Sequence, residues 1–150
     1  MFDHLMKFFG GSEWPPANNK VNQVEVAVAA LLVEAARMSD RFDEAERGVI
    51  ERILCRSYDL SSDAAARLLT AAEGVNAEST QLFPFTRLIA ERMVPEQRVD
   101  VIEMLWETVY AEGILSPDDD ALIRQVAALI YVSDRDRGEA HQRVLRRLGL

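Results

Sequence analysis

Apolar residues recur at three- and four-residue intervals along most of the chain, which is the spacing of one face of an α-helix. The stretch 21–37 shows the pattern most clearly, with apolar positions at Val21, Val24, Val28, Leu31, Leu32 and Ala35. Its alanine-rich composition also favours a helix. No segment shows the alternation of apolar and polar residues that is typical of a half-buried β-strand. The pattern therefore predicts an all-α fold.

Helix-start signals divide the rest of the chain. Short polar side chains suit the N-cap position, and the predicted N-caps are Asp43, Ser61, Ser116 and Ser133. A proline suits the first turn of a helix, and such prolines are Pro84, Pro95 and Pro117. These signals predict six more helices, over about 43–58, 61–72, 84–93, 95–111, 117–131 and 134–147. After the second of these, Gly74 and Asn76 are expected to loosen the chain. We expect one domain, residues 21–150, formed by a bundle of seven or eight helices.

The segment 1–20 has a different character from the rest of the chain. Residues 2–10, "FDHLMKFFG", predict a short amphipathic helix, and residues 10–19, "GGSEWPPANN", predict a flexible linker. Two interpretations remain open: residues 1–9 contact a membrane surface or a partner, or they fold back on the domain or fray. A single lysine gives little attraction to an anionic membrane.

The chain contains an internal repeat. Residues 31–54, "LLVEAARMSDRFDEAERGVIERIL", align without a gap with residues 104–127, "MLWETVYAEGILSPDDDALIRQVA". Both copies contain a helix, a tight acidic turn, an apolar residue and a second helix with an acidic first turn. This agreement favours duplication. It predicts two helical hairpins related by a pseudo-twofold axis.

The shared turn has a structural role. Phe42 and Leu115 each precede a predicted N-cap, where an apolar side chain packs on the next helix and fixes its direction. Gly113 permits a positive φ at the end of its helix, and Asp40 takes the equivalent position in the first copy. Much of the acidic pattern therefore has a structural explanation, because carboxylates stabilise the first turn of a helix.

Charge and composition exclude several classes of protein. The 17 basic and 25 acidic residues give a net charge of −8, which opposes nucleic-acid binding and favours a cation or a basic protein partner. No apolar run is long enough to span a membrane, and the N-terminus lacks the basic and apolar regions of a signal peptide. The one cysteine excludes an internal disulfide. We expect a cytoplasmic protein.

The acidic turns are the candidate functional site. Hard divalent cations such as calcium bind six or more oxygen ligands, and the two turns together offer Glu112, Asp118, Asp119, Asp40, Asp43 and Glu46. The loop is not an EF-hand, because the spacing of its acids differs from that motif. The alternative is a solvated acidic face whose carboxylates complement the helix dipoles.

No catalytic arrangement is visible in the sequence. The only histidines are His4, near the N-terminus, and His141, in the arginine-rich last helix. Cys55 has no histidine close to it in sequence, and no phosphate loop, zinc spacing or nucleophile elbow is present. The prediction is a non-enzymatic interaction or scaffold domain with a protein partner and no certain cofactor. Divalent-cation binding is the alternative.

The paired turns resemble those of the TerB-like family of tellurite-resistance proteins. The residues that carry the resemblance are "MSDRFDEAE" (38–46), "YAEGILSPDD" (110–119) and the segment 78–106 between them. This domain is also similar to the N-terminal helical part of certain membrane-attached DnaJ co-chaperones. The resemblance implies an all-helical fold, a link to tellurite or stress response and an acidic cation-binding surface, without an enzymatic activity.

The sequence departs from the family pattern in each turn. Where the family tends to have Asp-Gly, the first copy has Ser39-Asp40 and the second has Glu112-Gly113. The acid at the start of the following helix is retained as Glu46 and Asp119. The resemblance therefore does not decide whether this chain has inherited a metal site.

Overall fold

The computed structural model describes residues 22–38, 42–78, 82–111 and 115–150. These ranges contain seven α-helices and no β-strand, which confirms the all-α prediction. The helices are α1 (Gln23–Met38), α2 (Glu44–Tyr58), α3 (Ser62–Glu78), α4 (Phe83–Arg92), α5 (Pro95–Tyr110), α6 (Pro117–Leu129) and α7 (Asp134–Leu148). The short helix and linker predicted within the segment 1–20 lie outside the described residues.

α1 lies at the centre of the bundle. All residues of the stretch 26–33 are at most 1% exposed, as expected for a helix that is apolar on every side. α1 contacts α2, α3, α4, α5 and α6. α5 is the second central helix, and α7 packs along it.

The predicted duplication is visible in the packing. α1 packs on α3 as α5 packs on α7, and α2 contacts α5 as α6 contacts α1. A pseudo-twofold axis that relates the two halves requires the α2–α5 contact to be equivalent to the α6–α1 contact. α4 stands between the two units, against α1 and α6. The repeat therefore covers three helices in each half, α1–α3 and α5–α7, and not only the predicted hairpins.

The second helix of each half ends in the same way. Asp59 and Tyr131 adopt left-handed backbone conformations, with φ of 53° and 63°. The next residue donates its backbone N–H to the carbonyl five residues earlier, at 3.1 Å for Leu60 and 2.8 Å for Val132. These bonds satisfy carbonyl groups that the end of a helix leaves without partners.

The N-caps of the third helices then define the register between the halves. Ser61 accepts a hydrogen bond from the backbone of Ala64 at 3.1 Å, and Ser133 accepts one from Asp136 at 3.1 Å. Extending the gapless alignment of the two copies would instead pair Ser61 with Asp134. The sequence separation between equivalent residues is therefore one residue smaller for α3 and α7 than for α1 and α5.

α3 is longer than predicted. It was expected to end near Ala72, but it continues through Gly74 to Glu78. A glycine inside a helix costs up to about 1 kcal/mol relative to alanine. Tertiary contacts of the next turn offset this cost, because Val75 and Asn76 are buried and the Asn76 amide donates to the Glu34 carboxylate at 3.1 Å.

Candidate functional site

The first acidic turn leads into α2. Asp43 is the N-cap, and its carboxylate accepts a hydrogen bond from the backbone N–H of Glu46 at 2.9 Å. Phe42 is partly buried against the core, as predicted for the residue before the cap. The Glu46 side chain is buried, with 6% exposed. Asp43 therefore acts as a helix cap, as one of the two sequence interpretations proposed.

The second acidic turn leads into α6 and forms a reciprocal capping box. Asp119 donates its backbone N–H to the Ser116 hydroxyl at 3.1 Å, and its carboxylate Oδ2 accepts from the Ser116 backbone N–H at 3.1 Å. Leu115 is partly buried against the core, like Phe42. The helix-start acids Glu46 and Asp119 thus occupy the same position of equivalent helices.

One carboxylate oxygen of Asp119 forms no hydrogen bond within the described residues. The residue is 1% exposed, and its Oδ1 has no hydrogen-bond partner within the described residues. A buried polar atom in this state costs free energy unless a ligand or partner satisfies it. Asp118, one residue earlier, is exposed.

The structure does not bring the six candidate acids together as far as it describes them. Asp40 and Glu112 lie outside the described residues. Among the described ones, no group of three or more His, Cys, Asp or Glu side chains is arranged to hold a metal ion. Gly113 also lies outside the described residues, so its positive φ stays a prediction.

A groove of about 570 Å³ lies beside the second acidic turn. Met38 and Phe83 are 41% and 49% exposed on its walls, and the acidic residues Glu34 and Asp118 also line it. No basic side chain is among the described residues that line this turn groove, which are Glu34, Met38, Leu82, Phe83, Asp118, Ala121, Leu122, Gln125 and Leu129. Its surface is therefore apolar with an acidic edge.

A second concavity, of about 360 Å³, lies where the end of α2 meets α5 and α7. We call it the charged cleft. Glu107 is only 8% exposed and accepts hydrogen bonds from the guanidinium groups of Arg56 and Arg147, the latter at 2.7 Å. Glu103 accepts from Arg147 at 3.0 Å and from Arg143 at 2.9 Å. Charge-assisted bonds of this kind are stronger than neutral ones.

Asp100 and Tyr58 complete the charged cleft without such bonds. Burial and the neighbouring Glu103 raise the pKa of the Asp100 carboxyl, although Arg143 and Arg147 act in the opposite direction. Burial, with Glu25 and Asp100 nearby, raises the pKa of the Tyr58 hydroxyl. In both groups burial is the largest cause, because loss of hydration disfavours the charged form.

An aromatic stack lies on another face of α5. The rings of Trp106 and His141 are parallel to within 7°, with centroids 3.9 Å apart, and the His141 Nε2 is 2.7 Å from the Tyr110 hydroxyl. Burial lowers the pKa of His141, while Asp120 acts in the opposite direction. The Cys55 thiol lies 3.8 Å from the Ser61 carbonyl oxygen.

The charged cleft was not found from the sequence. Two of its arginines, Arg143 and Arg147, lie on the last helix and pair with carboxylates of α5. A signal was present: Asp100, Glu103 and Glu107 are spaced by three and four residues and so share one helix face.

Comparison with known proteins supports one assignment. The sequence profile described as tellurite resistance protein TerB matches residues 25–142. No curated protein and no solved structure matches the chain. Within the described residues, no helix is both long and apolar enough to cross a bilayer. The match covers most of the chain and includes both acidic turns, so this chain belongs to the TerB family.

Proposed function

We propose that this chain is a non-enzymatic interaction domain of a bacterial stress response of the tellurite-resistance type, acting in the cytoplasm and binding a protein partner through the turn groove. The observation that carries the proposal is the exposure of Met38 and Phe83 beside an acidic edge. Exposed large apolar side chains clustered in a groove are typical of interaction sites.

The groove chemistry indicates what kind of partner fits. An amphipathic helix buries its apolar face in such a groove. The carboxylates of Glu34 and Asp118 favour lysine or arginine beside that face, and the net charge of −8 acts in the same direction. A partner helix with apolar anchors and basic flanks is therefore the proposed ligand.

A model peptide tests this proposal directly. We would titrate an amphipathic leucine–lysine helix into the 15N-labelled chain and follow backbone NMR shifts. The expected result is shifts at the turn groove that Phe83→Asp abolishes and that Val94→Asp, at an equally exposed position elsewhere, leaves unchanged. The same two variants, placed in the bacterial chromosome, are compared for growth on tellurite. Equal peptide binding by wild type and Phe83→Asp would overturn the groove assignment.

The second candidate function is divalent-cation binding. The observation that favours it is the buried Oδ1 of Asp119, which lacks a hydrogen-bond partner within the described residues. Carboxylate oxygens of this kind suit calcium, magnesium or manganese. The other candidate ligands stay as the sequence proposed them: Glu112, Asp118, Asp40, Asp43 and Glu46.

Thermal unfolding distinguishes this candidate from the first. A cation at about a hundred times its dissociation constant should stabilise the chain by about 2.7 kcal/mol, or several degrees. The wild type is compared with the triple variant Glu112→Gln, Asp118→Asn, Asp119→Asn, with Asp120→Asn as the matched control. Stabilisation that only the triple variant loses supports a cation site. No stabilisation by calcium, magnesium, manganese or zinc eliminates it.

A further inference from the structure

The end of α7 presents large apolar side chains to solvent. Leu148 and Leu150 are 44% and 70% exposed. Together with Met38 and Phe83 of the turn groove, they make up four of the six large apolar side chains that are exposed among the described residues. Neither leucine lines the turn groove of its own chain. The molecule therefore has two separate exposed apolar surfaces, a groove and a helix end.

Hydrogen bonds hold this helix end in one conformation. Gly149 adopts the left-handed conformation, with φ of 75°, and its N–H donates to the Arg146 carbonyl at 3.2 Å. The Leu150 N–H donates to the carbonyl five residues earlier at 2.8 Å. The side chain of Arg147 ties the same turn to Glu103 of α5 at 3.0 Å. An element that is already ordered loses less conformational entropy when it binds.

The charge of this helix end is opposite to that of the turn groove. Residues 140–150 carry three arginines and no acidic residue, although the whole chain has a net charge of −8. Two of these arginines are paired with Glu103, whereas Arg146 is exposed and forms no ion pair within the described residues. The described lining of the turn groove contains two acidic residues and no basic one. Opposite charges therefore favour the approach of the helix end of one copy to the groove of another.

We propose that the turn groove of one copy of this chain binds the α7 tip, defined as Arg146, Leu148 and Leu150, of a second copy. The two leucines contact the apolar walls of the groove, and the guanidinium group of Arg146 lies beside its acidic residues. The α7 tip thus has the apolar anchors and the basic flank that the groove chemistry selects. This inference rests on the proposed function, because it names a partner for the same groove.

The geometry of the contact decides which assemblies form. The turn groove and the α7 tip are different surfaces of the same molecule, so the contact is heterologous. A pair of copies still has one free groove and one free tip, and further copies add to it unless the arrangement closes into a ring. Because the tip is a single helical turn, the contact is small and reversible. Self-association should therefore increase with protein concentration.

Sedimentation velocity of the full-length chain over a range of concentrations tests the proposal. The weight-average mass of the wild type should rise with concentration. Phe83→Asp removes an apolar side chain of the groove, and the double variant Leu148→Gln, Leu150→Gln removes the anchors of the tip. Each should weaken self-association by at least about tenfold, while Val94→Asp, at an exposed position outside both surfaces, leaves it unchanged. Circular dichroism checks that the variants fold.

A mixture of the two defective variants gives the decisive result. Phe83→Asp retains an intact tip, and the double variant Leu148→Gln, Leu150→Gln retains an intact groove. The mixture should therefore form a one-to-one dimer that cannot grow, although each component alone stays monomeric. The proposal is wrong if the wild type stays monomeric at millimolar concentration, if the mixture stays monomeric, or if the double variant self-associates like the wild type.

The leucine–lysine helix separates failure of this inference from failure of the proposed function. If Phe83→Asp abolishes the peptide shifts but copies of the wild type do not associate, the groove binds a different partner and only the second-copy inference fails. If the peptide binds the wild type and Phe83→Asp equally, the groove assignment fails as well. Where both hold, the peptide should compete with the α7 tip and dissociate the wild-type oligomers.

Discussion

In the first half of the bundle, α1 packs against α3 through Ala27, Ala30 and Val75, each at most 1% exposed. The equivalent residues of the second half are Asp100 and Glu103 on α5 and Arg147 on α7. Two seams with the same helix arrangement therefore have opposite chemistry. One excludes water with small apolar side chains, and the other holds ion pairs beside the charged cleft.

The two seams are expected to contribute differently to the stability of the domain. Small apolar side chains allow two helices to approach closely, and their burial stabilises the fold. A charged seam adds little net stability, because desolvation of the ions offsets much of their attraction. It also places polar groups along a cavity. We infer that the first seam contributes more to the stability of the domain than the second, which borders the charged cleft.

The largest loss of stability is expected when a carboxylate of the second seam is introduced at the equivalent position of the first seam. Ala30→Glu places a carboxylate at a fully buried position of a helix whose neighbouring residues are also buried and apolar. An uncompensated buried charge costs about 3–5 kcal/mol. Urea unfolding should show a loss of this size, or no cooperative transition at all.

The reciprocal change is the matched control. Glu103→Ala copies the first seam into the second and removes the partner of Arg143 and Arg147. These arginines are 40% and 43% exposed, so water solvates them, and the expected loss is about 1 kcal/mol or less. Losses of similar size for Ala30→Glu and Glu103→Ala would show that the two seams do not differ as described.

A second comparison concerns the carboxylates Glu34 and Glu107, which are equivalent in the two halves. Glu107→Gln removes the charge that binds Arg56 and Arg147. Because both arginines are partly exposed, we expect a loss of about 1–2 kcal/mol. The loss should shrink in about 1 M sodium chloride, which screens the partly exposed charges. Urea unfolding at low and high salt measures both quantities.

The first half again supplies the control. Glu34 accepts a hydrogen bond from the neutral amide of Asn76 at 3.1 Å, and glutamine retains an acceptor oxygen for it. Glu34→Gln should therefore cost about 0.5 kcal/mol or less, with little dependence on salt. If Glu34→Gln were as costly and as salt-dependent as Glu107→Gln, the charged seam would have no special electrostatic role.

Local signals in the sequence predicted the helix starts well. Asp43, Ser61, Ser116 and Ser133 all cap the helices they were expected to cap, because a cap depends on residues three positions apart. The internal repeat was confirmed for the same reason: its acids and apolar residues belong to one short turn.

Features that depend on long-range packing were harder to predict from the sequence. The continuation of α3 beyond Ala72 depends on contacts of Asn76 with α1, which no local pattern contains. The aligned window began at Leu31 and so missed the change from Ala27 and Ala30 to Asp100 and Glu103. Pairing Glu103 with Arg143 and Arg147 of α7 also requires the change of register by one position in the third helices. The helix-face spacing of Asp100, Glu103 and Glu107 was visible in the sequence, but their arginine partners on other helices were not.

A third prediction tests whether the third helices are equally regular. Gly74 in α3 and Gly138 in α7 both lie inside a helix, and an added Cβ meets no atom within 4 Å at either position. Gly74→Ala and Gly138→Ala should each stabilise the domain by about 0.5–1 kcal/mol. Thermal unfolding measures both shifts. Destabilisation by Gly74→Ala alone would show that α3 does not continue as a helix past Ala72.

The smallest expected effect is a dependence of stability on pH that comes from His141 in the second half. His141 occupies the position equivalent to the fully buried Leu69. Burial lowers its pKa below 6.5, and Asp120 offsets part of this shift. The unfolded chain therefore binds more protons than the folded chain in the interval between the lowered pKa and 6.5. Stability should be intact above pH 6.5 and should decline as the pH falls through that interval.

The variant His141→Leu, which copies the first half, isolates this contribution from that of the carboxylates. Urea midpoints at about pH 7.5 and pH 5.5 should decline more for the wild type than for His141→Leu. The imidazole NMR signals, assigned with His4→Gln, should give a pKa for His141 below 6.5. If the two proteins lose equal stability between these pH values, His141 titrates alike in the folded and unfolded chains. The stack on Trp106 would then be a packing contact without an electrostatic consequence.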